Sequence, residues 1–217
     1  MNNQWRADSY LVLLACVYSG TLVLSAVLAS KIISVGSLVV PAGVMGYSLT
    51  FVLTDVISEV WGKQRAKTVV MGGFVTLVLA FVITGISIFW PPAPFWPHQP
   101  EYETILGSSA RIMIASLSAY LISQYHDVWA FHFWKRITTD RFLWLRNNAS
   151  TVVSQLLDSV IFITLAFYGS MPVVPLILGQ WVVKVGIAVL DTPFVYLLVH
   201  LIRRRVPSVE LGSSLKS

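Results

Sequence analysis

The 217-residue sequence has few charged residues and a single cysteine. Asp, Glu, Lys and Arg make up 12% of the chain, whereas a soluble domain usually carries about 25%. Hydrophobic residues make up 56%, and the mean hydropathy is +0.73. The shortage of charge and the long apolar runs exclude an ordinary soluble domain. They predict an all-α membrane protein with several transmembrane helices.

Several chemical motifs are also missing from the sequence. The lone cysteine, Cys16, excludes an internal disulfide, and no paired cysteines or His-x-x-x-His sequence suggest a metal site. The chain lacks the Gly-x-Ser-x-Gly nucleophile motif, the His-Glu-x-x-His metalloprotease motif and a Gly-rich phosphate loop. We therefore expect no enzyme activity, no cofactor and no ATPase within this chain. Cys16 lies in an apolar run, and we expect it to be a buried packing residue.

Six apolar segments reach or nearly reach the roughly 20 residues that cross a bilayer. They lie at about residues 10–30, 41–61, 66–89, 108–134, 148–167 and 174–202. We interpret residues 1–217 as a single polytopic membrane domain that ends in a short basic tail at 203–217. The Pro-rich stretch from Trp90 to Pro97 cannot be regular helix, so it predicts a loop at the outer surface.

The basic residues predict the orientation of the chain in the membrane. Twelve of the 15 lie on one side of six crossings: Arg6, Lys63, Arg65, Lys67, Lys135, Arg136, Arg141, Arg146, Arg203, Arg204, Arg205 and Lys216. The positive-inside rule places that side, and both termini, in the cytoplasm. The basic residues behind the net charge of +5 lie in short loops rather than on one face, so we expect no binding to nucleic acid. Lys31 and Arg111 fall at predicted outer ends, where long side chains reach water, but Lys184 lies within a span.

Two predicted spans carry the same polar signature, Ser-Gln-x-x-Asp with a Phe four residues later. One copy contains Gln124 and Asp127, and the other contains Gln155 and Asp158. A carboxylate in hydrocarbon costs roughly 2.5–3.5 kcal/mol on insertion scales, so we expect both copies to face the interior of a helical bundle. With a rise of about 1.5 Å per residue, both copies and Lys184 lie at similar depths.

Other polar residues extend this pattern. Gln180, Lys184 and Asp191 share one stripe of the sixth span, with Trp181 beside it, and Asp55 and Glu59 share a face of the second span. Two interpretations remain. Asp158 and Lys184 form a structural ion pair with the Gln residues as contacts between helices, or the polar groups line a pocket for a donor-rich solute. Carboxylates outnumber cations in this set, which favours the pocket. For Glu59 an exposed, solvated position is an equal alternative.

These motifs resemble the queuosine precursor transporter family, also called the vitamin uptake transporter family. The matching stretches are Ala29-Ser30-Lys31, Thr54-Asp55 through Glu59 to Gly62, Ser118 through Gln124 to Asp127 and on to Lys135, Trp144 to Thr151, Ser154-Gln155-x-x-Asp158, and Lys184 ahead of Pro193. Together they cover roughly residues 25–201. The chain departs from the family at Ala26, where members often have Asn, which places in doubt a ligand role for that part of the first span.

The resemblance implies a six-helix importer in the inner membrane of a bacterial or archaeal cell. Its substrates would be 7-cyano-7-deazaguanine or 7-aminomethyl-7-deazaguanine, and its fold would be similar to the substrate-binding subunits of energy-coupling-factor transporters. The expected substrate-binding residues are Asp55, Glu59, Tyr120, Gln124, Asp127, Gln155, Asp158, Gln180, Trp181 and Lys184. Either Asp127 or Asp158 would bind the guanine-type edge of the base, and Lys184 would pair with the other carboxylate.

Three alternatives remain open at this point. In the first, the chain is a binding subunit that needs a separate ATPase module, which docks on the small residues Ala15, Ser19 and Ser25. Alternatively, it carries another purine-like or vitamin solute. An enzyme that uses Asp127 and Asp158 as an acid–base pair is disfavoured. Proton coupling and the oligomeric state are undecided; a homodimer is one option, because a small bundle leaves much surface facing lipid.

Overall fold

The computed structural model describes residues 3–137 and 143–205. This part of the chain forms six α-helices and one two-stranded antiparallel sheet. The elements are α1 (Asn3–Leu28), β1 (Ile32–Val35), β2 (Leu38–Pro41), α2 (Gly43–Trp61), α3 (Lys63–Phe89), α4 (Gln99–Ile137), α5 (Leu143–Phe167) and α6 (Val173–Arg205). The predicted basic tail lies outside the described residues from position 206 onwards.

Each of the six predicted apolar segments overlaps one helix, and three helices end where predicted, at Trp61, Phe89 and Phe167. Among the described residues, three helices are long and apolar enough to cross a membrane, at Ala7–Leu28, Gln64–Phe89 and Gln99–Ile122. Shorter apolar stretches lie in α5 and α6. The chain therefore has the largely helical, apolar structure of an α-helical membrane protein.

Helix α4 begins nine residues before the predicted span. Hydropathy detects only the apolar part of a helix, but α4 starts at Gln99 with Pro100 and Glu101 in its first turn. Proline is tolerated there because the first N–H groups of a helix have no partner within the helix. An acidic side chain in the first turn also stabilises the positive end of the helix dipole. The Pro-rich stretch just before it is non-helical, as predicted.

A β-hairpin between α1 and α2 is absent from the sequence prediction. Strands β1 and β2 pair in antiparallel register, with Val35 opposite Leu38, so that Gly36 and Ser37 form a two-residue turn. Gly36 has a φ of 61°, the positive value that the first turn residue needs in such hairpins. The missed signal was local: β-branched residues lie on both sides of a Gly-Ser pair.

The chain divides into two compact units, which we describe separately. The first, called here the α1–α3 unit, comprises the described residues within 3–25, 45–83 and 186–205. Its core contains the fully buried Val56 and Ile57 together with Tyr18, Trp61 and Val199. The second, called the α4–α5 unit, comprises residues 26–44 and 84–185, and thus includes the hairpin and residues 173–185 of α6.

The surface of α1 contradicts one expectation. Cys16 is exposed, on the same helix as the exposed Val12 and Leu13, so the prediction that it is buried was wrong. Apolarity of a run cannot separate a core residue from a lipid-facing one, because lipid tails are as apolar as leucine. By contrast, Ser25 is buried, and a Cβ on Gly46 would lie 2.4 Å from its Oγ. Helices α1 and α2 therefore pack closely at this point.

Candidate functional site

The most polar feature of the α4–α5 unit is an ion pair between α5 and α6. Lys184 Nζ donates a hydrogen bond to Asp158 Oδ2. The two residues are only 5% and 8% exposed, respectively. The pair explains why a lysine lies within an apolar helix. In the second copy of the repeated motif, the carboxylate is therefore held by this lysine.

Such a pair is stable only when both charges are present. Moving one ion from water into a protein interior costs several kcal/mol, and the attraction of a well-placed partner offsets most of this cost. Lys184 and Asp158 together therefore place two strong hydrogen-bonding groups inside the bundle with no net charge. Breaking the pair would leave one of these charges without compensation.

Gln155 lies three residues before Asp158, so the two side chains share a face of α5. Its Oε1 atom is buried and has no hydrogen-bond partner among the described residues. The hydroxyl of Ser159 does not donate to this oxygen, because it donates to the backbone carbonyl of Gln155 at 2.8 Å. A buried acceptor without a donor costs about 1–3 kcal/mol, so this oxygen is well suited to accept a hydrogen bond from a bound solute.

Helix α6 contributes further groups on the stripe of Lys184. Gln180 is 4% exposed and lies one turn before the lysine, while the neighbouring Trp181 is half-buried. At Gly179 the helix meets the hairpin, because a Cβ built there would lie 2.3 Å from the carbonyl oxygen of Val39. Strand β2 therefore packs directly against α6 beside Gln180, and only glycine allows this approach.

A substitution at Gly179 tests this contact. Gly179→Ala is expected to destabilise the protein by about 1–3 kcal/mol, the usual cost of overpacking, because the carbonyl of Val39 belongs to a paired strand and cannot move alone. Thermal unfolding of the purified protein in detergent measures the effect. Gly186→Ala is the matched control on the same helix, since a Cβ there meets nothing within 4 Å and alanine favours helix by up to about 1 kcal/mol. Equal shifts in both variants would show that β2 does not press on α6.

Arg111 of α4 stabilises the end of α5. Its Nε donates to the carbonyl of Leu165 at 2.8 Å, and its Nη2 donates to the carbonyl of Tyr168 at 2.8 Å. The last carbonyls of a helix lack partners within the helix and carry partial negative charge, which a guanidinium satisfies. Sequence reasoning gave Arg111 only a position at the outer end. No sequence signal could have revealed this cap, because its acceptors are backbone atoms more than 50 positions away.

The remaining predicted site residues lie in different places. Tyr120 is half-buried on α4, in the same unit as the ion pair. Asp55 and Glu59 belong to the α1–α3 unit, where both are exposed on α2. The side chains of Gln124, Asp127 and Asp191 lie outside the described residues. Of the two Ser-Gln-x-x-Asp copies, only the second can therefore be described at the level of its side chains.

Comparison with known proteins relates the chain to transporters. Residues 41–198 match a family described as "Putative vitamin uptake transporter". A Bacillus subtilis protein named "Probable queuosine precursor transporter" is 36% identical over 171 residues, covering 76% of this chain and 74% of that protein. The Escherichia coli "Queuosine precursor transporter" is 27% identical over 129 residues, covering 59% and 55%.

A Haemophilus influenzae protein with the same name as the Bacillus subtilis one is 25% identical over 131 residues, covering 59% of this chain and 52% of that protein. The matched region thus spans about half the length of the Escherichia coli and Haemophilus influenzae relatives. No solved structure gives a significant match.

Proposed function

We propose that this chain, which belongs to the vitamin uptake transporter family, imports queuosine precursors across the inner membrane of a bacterial or archaeal cell. The substrates are 7-cyano-7-deazaguanine, 7-aminomethyl-7-deazaguanine or both. The names of three relatives support this proposal. In it all six helices cross the membrane, both termini are cytoplasmic, and the chain works as a secondary transporter without catalysing a reaction. The proposed likeness to energy-coupling-factor binding subunits rests on the sequence resemblance alone.

The observation that carries the proposal is the buried Lys184–Asp158 pair with the unpaired Gln155 Oε1 one turn away. In a purely structural polar cluster, a buried acceptor without a donor only lowers stability. In a solute site, the incoming solute supplies the missing donor. Ligand sites combine a few such polar groups with apolar walls.

The chemistry of a deazaguanine fits these groups. Its ring N–H and exocyclic amine lie side by side and donate to Gln155 Oε1 and to the carboxylate of Asp158. Its carbonyl accepts from the amide of Gln180. Its flat face stacks on Trp181 or Tyr120, a contact worth about 1–3 kcal/mol for a nucleobase on an aromatic ring.

The first copy of the motif and the acidic residues of α2 belong to the same proposal. Gln124 and Asp127 complete the binding site in it, and Asp55 and Glu59 contact substrate nearer the cytoplasm. A homodimer also remains part of the proposal.

Dependence on a separate ATPase module is the second candidate, and no observation favours it. The small residues of α1 suggested as its docking face are used within the α1–α3 unit: Ser25 is buried, and Ala15 packs against the core.

Uptake of radiolabelled precursor into cells that cannot synthesise it tests the proposal. We expect cells that express the chain to accumulate label and to restore queuosine in their tRNA, because import is then their only source. Proteoliposomes that contain only the purified chain separate the two candidates, since a secondary transporter works there without ATP. Uptake no greater than in cells with an empty vector would contradict the function, given membrane-inserted protein.

A further inference from the structure

A groove on the surface of α1 begins at a pair of opposite charges. It has a volume of about 460 Å³ and is lined by residues that follow one side of the helix: Asp8, Ser9, Val12, Leu13 and Cys16. The first two of these residues form a polar end, and the other three form apolar walls. Asp8 Oδ1 pairs with Arg65 Nη1 of α3 at 3.4 Å. All of these residues belong to the α1–α3 unit.

The charged pair marks the surface of the bilayer. Asp8 is the second residue of the apolar segment Ala7–Leu28, and Arg65 is the second residue of the apolar segment Gln64–Phe89. Both side chains are about half exposed, at 54% and 51% respectively. Charged groups at the end of a span lie at the level of the lipid head groups. The groove therefore begins at that level, whichever side of the membrane it faces.

From the charged pair, the groove runs into the hydrocarbon. Cys16 lies eight positions after Asp8, which corresponds to a rise of about 12 Å along the helix. One leaflet contributes about 15 Å to the hydrocarbon core of a bilayer, so the apolar walls follow most of the depth of one acyl chain. Val12 and Leu13 are 61% and 57% exposed, so a lipid chain can contact both.

We propose that this groove binds one phospholipid whose head group carries a primary ammonium, the chemistry of phosphatidylethanolamine. The phosphate of the lipid meets the guanidinium of Arg65, and its ammonium meets the carboxylate of Asp8. One acyl chain lies against Val12, Leu13 and Cys16. The ion pair can take up this head group because each of its members is half exposed and has room for a second partner. The site does not depend on the identity of the transported solute.

The charge pattern selects this head group among the common phospholipids. A primary ammonium, like that of lysine, has three N–H donors, and hydrogen bonds between charged groups are about twice as strong as neutral ones. The quaternary ammonium of phosphatidylcholine has no N–H donor for Asp8. Phosphatidylglycerol has a phosphate for Arg65 but brings no cation to Asp8. A head group with both a phosphate and a primary ammonium complements both charges of the pair.

Competition between lipids that share the same acyl chains tests the proposal. The full chain is delipidated in detergent and mixed with equal amounts of phosphatidylethanolamine, phosphatidylcholine and phosphatidylglycerol, and native mass spectrometry counts the lipids retained. We expect one retained phosphatidylethanolamine, bound about three- to fivefold more tightly than the other two lipids, as one exposed ion pair would contribute. Equal retention of the three lipids, or a preference for phosphatidylglycerol, would overturn the proposal.

Two variants separate the contribution of the head group from that of the acyl chain. Asp8→Asn keeps the shape of the side chain but removes the charge that meets the ammonium, so phosphatidylethanolamine and phosphatidylcholine should be retained equally. Cys16→Trp fills the apolar part of the groove and should remove the retained lipid. Leu121→Trp is the matched control, because Leu121 is an exposed residue of α4 outside the lining of the groove. It should retain phosphatidylethanolamine like the wild type.

Either variant can contradict the proposal. Wild-type retention by Cys16→Trp would show that the lipid lies elsewhere, and an unchanged preference in Asp8→Asn would show that the carboxylate does not meet the ammonium. Both positions are exposed, and substitutions at the surface usually change stability little, so we expect both variants to fold. The competition on the wild-type protein decides alone if one of them does not.

Discussion

Replacement of Lys184 with methionine is expected to lower the free energy of unfolding by about 3–5 kcal/mol, because it leaves the buried Asp158 carboxylate without its partner. The lysine is 5% exposed and the aspartate 8%, so water cannot take over the role of the missing cation. Removing both charges is expected to cost far less. When well-packed apolar residues replace a buried pair, the change is often neutral or stabilising.

The double variant Lys184→Met with Asp158→Leu is therefore expected to recover most of the stability that the single variant loses. Thermal unfolding in detergent measures both. Transport is expected to be lost in both, because the double variant restores packing but not the polar site. Lys31→Met serves as the control for removal of a lysine from the surface, with an expected change within about 0.5 kcal/mol. A single variant as stable as the double one would show that the pair is not buried as described.

Replacement of Gln155 with methionine is expected to separate binding from stability. Methionine has a similar length and fills the same space, but it removes the Oε1 atom that has no partner among the described residues. The folded protein loses no hydrogen bond of this atom, so its unfolding temperature should change little or rise. The bound base loses an acceptor for one of its donors. This costs about 1–3 kcal/mol, or about 5- to 140-fold in Kd at about 1.4 kcal/mol per factor of ten.

Titration of the 7-cyano base into wild-type and variant protein measures this loss. Gln99→Met is the matched control, because the amide of Gln99 is engaged at the start of α4, where it donates to Ile88 O at 3.3 Å and to Glu103 Oε1 at 2.8 Å. This control should disturb the local structure and leave the affinity unchanged. A Gln155→Met protein that binds like wild type would remove Gln155 from the site, whatever its stability.

The positions of the helices were predictable because a bilayer imposes their length. A helix must present about 20 apolar residues to cross hydrocarbon, and turns rich in proline or charge interrupt such runs. The ends at Trp61 and Phe89 follow from this constraint. The start of α4 at Gln99 does not, because its first turns lie beyond the apolar run that hydropathy detects.

The hairpin and the arginine cap were missed for different reasons. The β-branched residues around Gly36 are a strand signal, but the two strands have only four residues each and lie between two long apolar helices. The bonds from Arg111 to the carbonyls of Leu165 and Tyr168 have no counterpart in the side-chain pattern, because any residue supplies a backbone carbonyl. The hairpin is therefore encoded locally in the sequence, whereas the cap depends on the tertiary structure.

Composition and apolar spacing are enough to indicate an α-helical membrane protein, and the motifs indicate the family. These properties depend on composition and on spacing within one segment, where the helical period places Gln155 and Asp158 on one face. The contact between Lys184 and Asp158 and the absence of a partner for Gln155 Oε1 among the described residues depend on how the helices pack. The paired residues lie 26 positions apart on separate helices. Their contact depends on how α5 and α6 rotate and slide against each other, which the periodicity of either helix alone does not fix.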